Sequence, residues 1–188
     1  MDIHMKKLFY YSRAAAFVVL LTAILLIVNY FTGYMSWFWC PEDMRSNFFF
    51  SFRNILTAIS YITVLCFFIL IYTGSVKGSS LRIPTLIGII SVLFTIYYSI
   101  ILSHWGIMLV LGIIAAIGLF WAFYRLSKYM KTIPVKALCI AYPCINLISL
   151  VDIIYMYFGG KIQFVITILL LLTLSAFYYL FSNIIKNS

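Results

Sequence analysis

The sequence predicts an all-α, polytopic membrane protein: a bundle of six transmembrane helices with both termini on the cytoplasmic side. Three observations lead to this prediction. The chain of 188 residues is 65% hydrophobic and only 9% charged, whereas soluble domains carry about 25% charged residues. Its apolar residues form six long runs. Its basic residues concentrate at the termini and in alternate loops between those runs. Cytoplasmic loops of membrane proteins carry such an excess of Lys and Arg.

Each of the six apolar runs is long enough to cross a bilayer, which takes about 20 predominantly apolar residues. The predicted spans cover residues 14–34, 54–73, 83–103, 106–124, 134–158 and 162–182. Continuous runs favour helices over the strands of a membrane barrel, which alternate in hydropathy over about ten residues. The loops are too short for a separate soluble domain, which needs about 50 residues, so we predict a single membrane domain.

The distribution of Lys and Arg predicts the orientation, because short cytoplasmic loops carry an excess of both. Only Arg45, Arg53 and Lys161 fall in the first, third or fifth loop or beside it. An odd number of spans would place the two basic termini on opposite sides, so six spans fit best. We expect an integral protein of a bacterial cytoplasmic membrane. The ten remaining basic residues fall on the predicted inner side: Lys6, Lys7, Arg13, Lys77, Arg82, Arg125, Lys128, Lys131, Lys136 and Lys186.

The net charge of +9 does not indicate nucleic acid, because the basic residues adjoin apolar runs. There they fix topology and meet anionic lipid headgroups. The predicted partner is therefore the lipid bilayer. Small residues such as Gly112 and Ala116 let helices approach closely, so other membrane subunits or a second copy of the chain are also possible partners.

No enzyme motif is present, and we predict no catalytic residue, no metal site and no cofactor. The sequence contains no H-E-x-x-H, no G-x-S-x-G and no glycine-rich phosphate loop. The four cysteines form no C-x-x-C, and His104 has no second ligand at metal-binding spacing. An intramembrane enzyme without a recognisable motif ranks third among the functions we consider.

Asp152 is the only acid inside a predicted span. An embedded carboxylate costs about 2.5–3.5 kcal/mol on insertion scales, so it is usually retained for a partner or a task. Arg53 falls at a similar depth if the second helix begins near Phe48. Two interpretations stay open: a structural ion pair that locks helices two and five together, or an ion, proton or substrate site.

The fifth span carries a polar stripe, because Asn146, Ser149 and Asp152 are spaced by three residues and fall on one side of a helix. Pro143 removes one backbone hydrogen bond and predicts a helix break beside them. Such breaks beside polar groups form substrate sites in many carriers. We therefore assign Asn146, Ser149 and Asp152 as candidate substrate-binding residues. The alternative is that Asn and Ser only bond neighbouring helices together.

Two other segments leave alternatives open. The first outer loop, residues 35–47, holds Trp37 and Trp39 and is either an interfacial anchor or a lid over a site. The segments around Pro84 and Pro134 both run from an aromatic span end through a basic loop to Ile-Pro. This similarity indicates either a duplicated hairpin or two helices that each begin with a proline.

The expected function is that of a small solute transporter or the membrane-embedded substrate-binding subunit of one. Size, helix number and a basic inner face support it, and no motif does. The alternative is a non-enzymatic accessory, immunity or sensor protein that acts by helix–helix interaction. Scarce embedded charge argues against a proton pump with a relay of acids.

Overall fold

The computed structural model confirms the all-helical prediction over the residues it describes, which are 3–31, 47–75, 79–101, 105–130, 132–155 and 160–187. Side chains are described over 3–28, 58–75, 79–97, 110–130, 132–149 and 164–186. Within these ranges, three helical segments are long and apolar enough to cross a membrane: Ile3–Val28, Val110–Ser127 and Phe164–Lys186. The described part contains six helices: α1 (Ile3–Phe31), α2 (Asn47–Gly74), α3 (Arg82–Ile101), α4 (Trp105–Ser127), α5 (Ile133–Tyr155) and α6 (Gly160–Asn187).

The helix ends follow from local sequence. Pro84 lies in the first turn of α3 and Pro134 in the first turn of α5, where a missing N–H leaves no helical hydrogen bond unmade. α1 begins at Ile3, well before the predicted span at residue 14, because residues 3–13 contain neither Gly nor Pro to stop it. Hydropathy marks the part of a helix that suits lipid and not where the helix ends.

Consecutive helices run antiparallel. Gly74 at the end of α2 lies beside His4 at the start of α1, and Phe68 near the end of α2 packs on Gly88 near the start of α3. α1, α3 and α5 therefore begin where α2, α4 and α6 end. We call this the basic end of the bundle, because most described cations lie there: Lys6, Lys7, Arg13, Arg82, Arg125, Lys128, Lys136 and Lys186.

The six helices form a ring in which each packs on its sequence neighbours and α6 packs on α1. α1 meets α6 through a face of mostly small residues, which lets the two backbones approach closely. Ser175 of α6 donates a hydrogen bond to the carbonyl oxygen of Ala16 at 2.8 Å. Arg13 donates to the side-chain oxygen of Asn183 at 3.1 Å. The buried residues of α1 within residues 3–28 are Ser12, Ala15, Ala16, Val19, Thr22, Ala23 and Leu26.

The interior of the ring toward the basic end is filled by aromatic side chains from α2, α4, α5 and α6. Phe67 is central: its ring centroid lies 5.5 Å from that of Phe177 and 5.3 Å from that of Phe181. Offset and edge-to-face ring pairs contribute about 0.5–1.5 kcal/mol each beyond the area they bury. We call the following set the aromatic core: Phe67, Phe68, Phe123, Tyr142, Phe177, Tyr178 and Phe181.

Gly88 makes room for this core on the α3 side. A Cβ atom at Gly88 would lie 2.8 Å from ring carbons of Phe68. Phe68 is only 1% exposed, and its ring centroid lies 5.2 Å from that of Phe123. The ring therefore has little space into which to retreat, and the absence of a side chain at Gly88 sets how closely α2 and α3 pack.

Gly88→Ala is expected to lower the free energy of unfolding by about 1–3 kcal/mol, the usual effect of overpacking. Gly74→Ala is the matched control, because its Cβ would meet His4 at an ordinary 3.8 Å. The control should change stability by about 0.5 kcal/mol or less. Denaturant unfolding in mixed micelles measures both. Equal effects of the two substitutions would contradict this packing role of Gly88.

Candidate functional site

A buried polar pair joins α2 to α5 across the interior of the ring. The hydroxyl of Tyr61 donates a hydrogen bond to Oδ1 of Asn146 at 3.3 Å. The two residues are 7% and 9% exposed. Tyr61 precedes Gly74 by 13 residues and Asn146 follows Ile133 by 13, which places the pair ~20 Å from the basic end at 1.5 Å per residue.

The aromatic core forms the floor beneath this pair. Tyr142 lies one turn before Asn146 on α5 and is completely buried. Its ring centroid lies 5.2 Å from that of Phe123 on α4. Because α5 carries both Tyr142 and Asn146, the change from aromatic to polar interior takes place within a single helical turn.

Pro143 and Ser149 lie on α5, three residues before and three residues after Asn146. Pro143 is buried and Ser149 is half-buried. α5 continues as a helix through Pro143, so the disturbance is one missing hydrogen bond to the Cys139 carbonyl and not an interruption of the helix. The Cys139 thiol donates to the carbonyl oxygen of Phe123 at 3.3 Å, which anchors α5 on α4 below this point.

Asp152 and Arg53 belong to α5 and α2, and their side chains lie outside the described residues. Asp152 follows Asn146 by six residues, ~9 Å, and Arg53 precedes Tyr61 by eight, ~12 Å. Since Asn146 and Tyr61 are in contact, helix geometry predicts similar levels for Asp152 and Arg53. The ion pair remains a prediction. Residues 35–46 and His104 also lie outside the described part of the chain.

The sequence prediction missed a second polar cluster, which ties α2 to α1 and α6. The hydroxyl of Tyr11 donates to the carbonyl oxygen of Thr63 at 2.6 Å. The hydroxyl of Tyr178 donates to Oγ1 of Thr63 at 3.5 Å, and that Oγ1 donates to the carbonyl oxygen of Ser60 at 2.7 Å. The sequence feature that indicates this cluster is the polar segment from Ser60 to Thr63 within an otherwise apolar run of α2.

The interior groups at these two clusters are phenols, hydroxyls and an amide, which bind by hydrogen bonding. Among the described residues, no group of three or more His, Cys, Asp or Glu side chains is placed to hold a metal ion. The arrangement joins α2 to α1, α5 and α6 through hydrogen bonds. It offers no nucleophile with an adjacent base in the part of the chain that the structure describes.

No protein-family model, no curated protein and no solved structure matches the chain. Function is therefore inferred from the geometry of the bundle, from its charge distribution and from the placement of its buried polar groups.

The Tyr61–Asn146 contact can be tested by a double-mutant cycle with Tyr61→Phe and Asn146→Leu. A hydrogen bond between membrane helices contributes about 0.6 kcal/mol, so the coupling energy should be of that size. Tyr61→Phe combined with Ser182→Ala is the control. The Ser182 hydroxyl donates to the carbonyl oxygen of Tyr179 on the same helix and lies ~12 Å nearer the basic end, so the control pair should be additive. Additivity in the first cycle would mean that the two side chains do not touch.

Proposed function

We propose that the chain is a six-span integral membrane protein that binds a small solute in the outer half of its helix bundle. It would act as a transporter or as the membrane-embedded substrate-binding subunit of one. The observation that carries this proposal is the buried Tyr61–Asn146 pair above the aromatic core. Polar side chains within a membrane face the bundle interior or a water-filled cavity, and they commonly mark substrate paths.

Helix length supports six spans. The shortest helix, α3, has 20 residues, ~30 Å at 1.5 Å per residue, which matches the hydrocarbon thickness of a bilayer. α2, α3 and α5 each pack against at least one of the three longest apolar segments, in the same ring. A helix that shares this ring over most of its length would share its membrane environment.

The charge distribution supports a cytoplasmic basic end. Lys and Arg in short loops favour the cytoplasmic side, and most of the described cations gather at one end of the ring. Several rest on aromatic rings, as Arg82 does on Tyr72 with its Cζ 4.8 Å from the ring centroid. Aromatic and basic side chains together are typical of the headgroup level. A bacterial cytoplasmic membrane is the proposed location.

The proposed solute site lies beside α5 near Asn146, Ser149 and Asp152, on the outer side of the aromatic core. The core would close the interior toward the cytoplasm in this conformation. Asp152 is the only acid in residues 44–188, so a cation or an amine is the favoured class of solute. Arg53 would reverse that preference if it faced the site without pairing to Asp152.

A second candidate function is favoured by the density of the aromatic core. Phe67, Phe177 and Tyr178 are at most 1% exposed, as expected for a bundle that stays packed. A protein of this kind would be a non-enzymatic accessory, immunity or sensor protein. It would use lipid-facing surfaces, such as Val110, Ile114 and Ile117 of α4, to contact another membrane subunit. We do not propose an enzyme.

Cysteine scanning over residues 142–156 separates the two candidate functions. In a background without Cys40, Cys66, Cys139 and Cys144, a membrane-impermeant thiol reagent is added from outside. Cysteines at 146, 149 and 152 should react, because a solute site must be open to water from one side. Ile148→Cys is the control: residue 148 is 56% exposed on the lipid side, where the reagent does not enter.

Protection at every position from 142 to 156 would contradict the solute site. The polar stripe would then serve only to bond helices together, and the interaction function would be the better conclusion. Direct binding of a candidate amine to purified protein, lost on Asp152→Asn and retained on Ile148→Val, would support the site by an independent measurement.

A further inference from the structure

Arg13 lies on the exterior of the ring, at the groove between α1 and α6. Its side chain is exposed, yet contacts on both helices hold the guanidinium in place. The Cζ atom lies 5.4 Å from the ring centroid of Phe9 and 5.7 Å from that of Tyr179. One terminal nitrogen donates a hydrogen bond to the side-chain oxygen of Asn183 at 3.1 Å. The rings and the hydrogen bond together orient the planar group.

The guanidinium keeps N–H donors for a ligand, because it carries five of them in a planar fork. Within the described residues, the bond to Asn183 is the one hydrogen bond of the Arg13 side chain. The side chains described on these two helices, over residues 3–28 and 164–186, include no Asp or Glu. An exposed, oriented guanidinium without an acid beside it in this part of the chain is suited to binding an anion from outside the protein.

Two lysines add positive charge on the basic-end side of Arg13. Lys6 precedes Arg13 by seven residues on α1, and Lys186 follows Asn183 by three residues on α6. Residues at these spacings share one side of a helix. Both lysines therefore lie along the groove, ~10 Å and ~5 Å nearer the basic end than Arg13, and both are exposed. The three cations form the cationic part of the groove.

The groove is apolar in the other direction. Leu20 and Ile24 of α1 and Leu172 of α6 are exposed on the exterior. Leu20 follows Arg13 by seven residues and Leu172 precedes Tyr179 by seven, so they continue the same sides of the two helices. From Arg13 to Ile24 the rise is ~16 Å, about half of the ~30 Å hydrocarbon core. This apolar part of the groove has the length of the acyl chains of one leaflet.

We infer that the groove between α1 and α6 binds an anionic phospholipid in the leaflet at the basic end. The lipid phosphate pairs with the N–H donors of Arg13, and the acyl chains lie along the apolar part of the groove. A net negative headgroup fits best, because Lys6 and Lys186 attract it and repel the quaternary amine of a zwitterionic lipid. Free phosphate would leave the apolar part uncovered. The site is on the exterior of the ring, separate from the proposed solute site.

Native mass spectrometry of the full chain tests this site, with the protein purified in dodecyl maltoside, a detergent without phosphate. The probes are phosphatidylglycerol, phosphatidylcholine with the same acyl chains, and glycerol phosphate, which is a headgroup without chains. The chain should retain phosphatidylglycerol severalfold better than phosphatidylcholine and should retain no glycerol phosphate at the same concentration. Equal retention of the two lipids, or retention of glycerol phosphate as good as that of phosphatidylglycerol, would overturn the site.

Arg13→Gln should weaken binding of phosphatidylglycerol by about tenfold, the loss of one hydrogen bond to a charged group. Arg125→Gln is the matched control. Arg125 also lies over a ring, with its Cζ 5.4 Å from the Trp121 centroid, but α4 lies opposite α1 in the ring. This control should weaken binding less than about twofold. Equal losses in the two variants would overturn the site, since they would show attraction to the basic end as a whole.

Two further variants separate lipid binding from a structural role. Arg13→Lys keeps the charge without the planar fork and should bind phosphatidylglycerol more weakly than wild type and more tightly than Arg13→Gln. Lys6→Gln, at an exposed position, tests the site even if Arg13→Gln does not fold. It should reduce the preference for phosphatidylglycerol over phosphatidylcholine by about fivefold, the contribution of one lysine near an anionic headgroup. An unchanged preference in Lys6→Gln would contradict the proposed headgroup site.

Discussion

The close packing of α1 between α2 and α6 is the contact on which the rest of the structure depends. Its buried face is built mainly from small residues such as Ala15, Ala16 and Ala23, so α2 and α6 come near enough for Phe67 to reach Phe177 across it. Lipid supplies no hydrophobic drive for helices to associate, and van der Waals packing of this kind replaces it. A bulkier face on α1 would separate α2 from α6 and open the aromatic core.

The buried polar groups lie next to the aromatic core inside the ring. With aromatic rings filling the interior toward the basic end, two polar residues of α2 lie two positions apart and face different helices: Thr63 meets Tyr11 and Tyr178, and Tyr61 meets Asn146. Hydroxyl and amide groups within a bundle stay inside because lipid offers them no hydrogen bonds. The interior therefore changes from aromatic to polar along its axis, which gives the proposed solute site a floor.

The sequence predicts the helices well, because apolar runs and first-turn prolines such as Pro84 are local signals. It also predicts that Asn146 is a residue of interest, since an amide in an apolar run is visible without a structure. Its partner Tyr61 was not predictable, because pairing depends on which helices face each other across the ring. Tyr11 was missed for a related reason: a tyrosine near a helix end suits the membrane interface equally well. Gly88 carries no local signal either, since its role is set by Phe68 on another helix.

Six spans with both termini in the cytoplasm are the premise of the solute site, of its outward orientation and of the cytoplasmic basic end. Paired reporter fusions test that premise most directly, with alkaline phosphatase active only outside and a fluorescent protein folding only inside. Fusions after residues 131 and 188 should fluoresce without phosphatase activity, and a fusion after residue 104 should show the reverse. Phosphatase activity at residue 188 would contradict the six-span bundle and reverse the assignment of its ends.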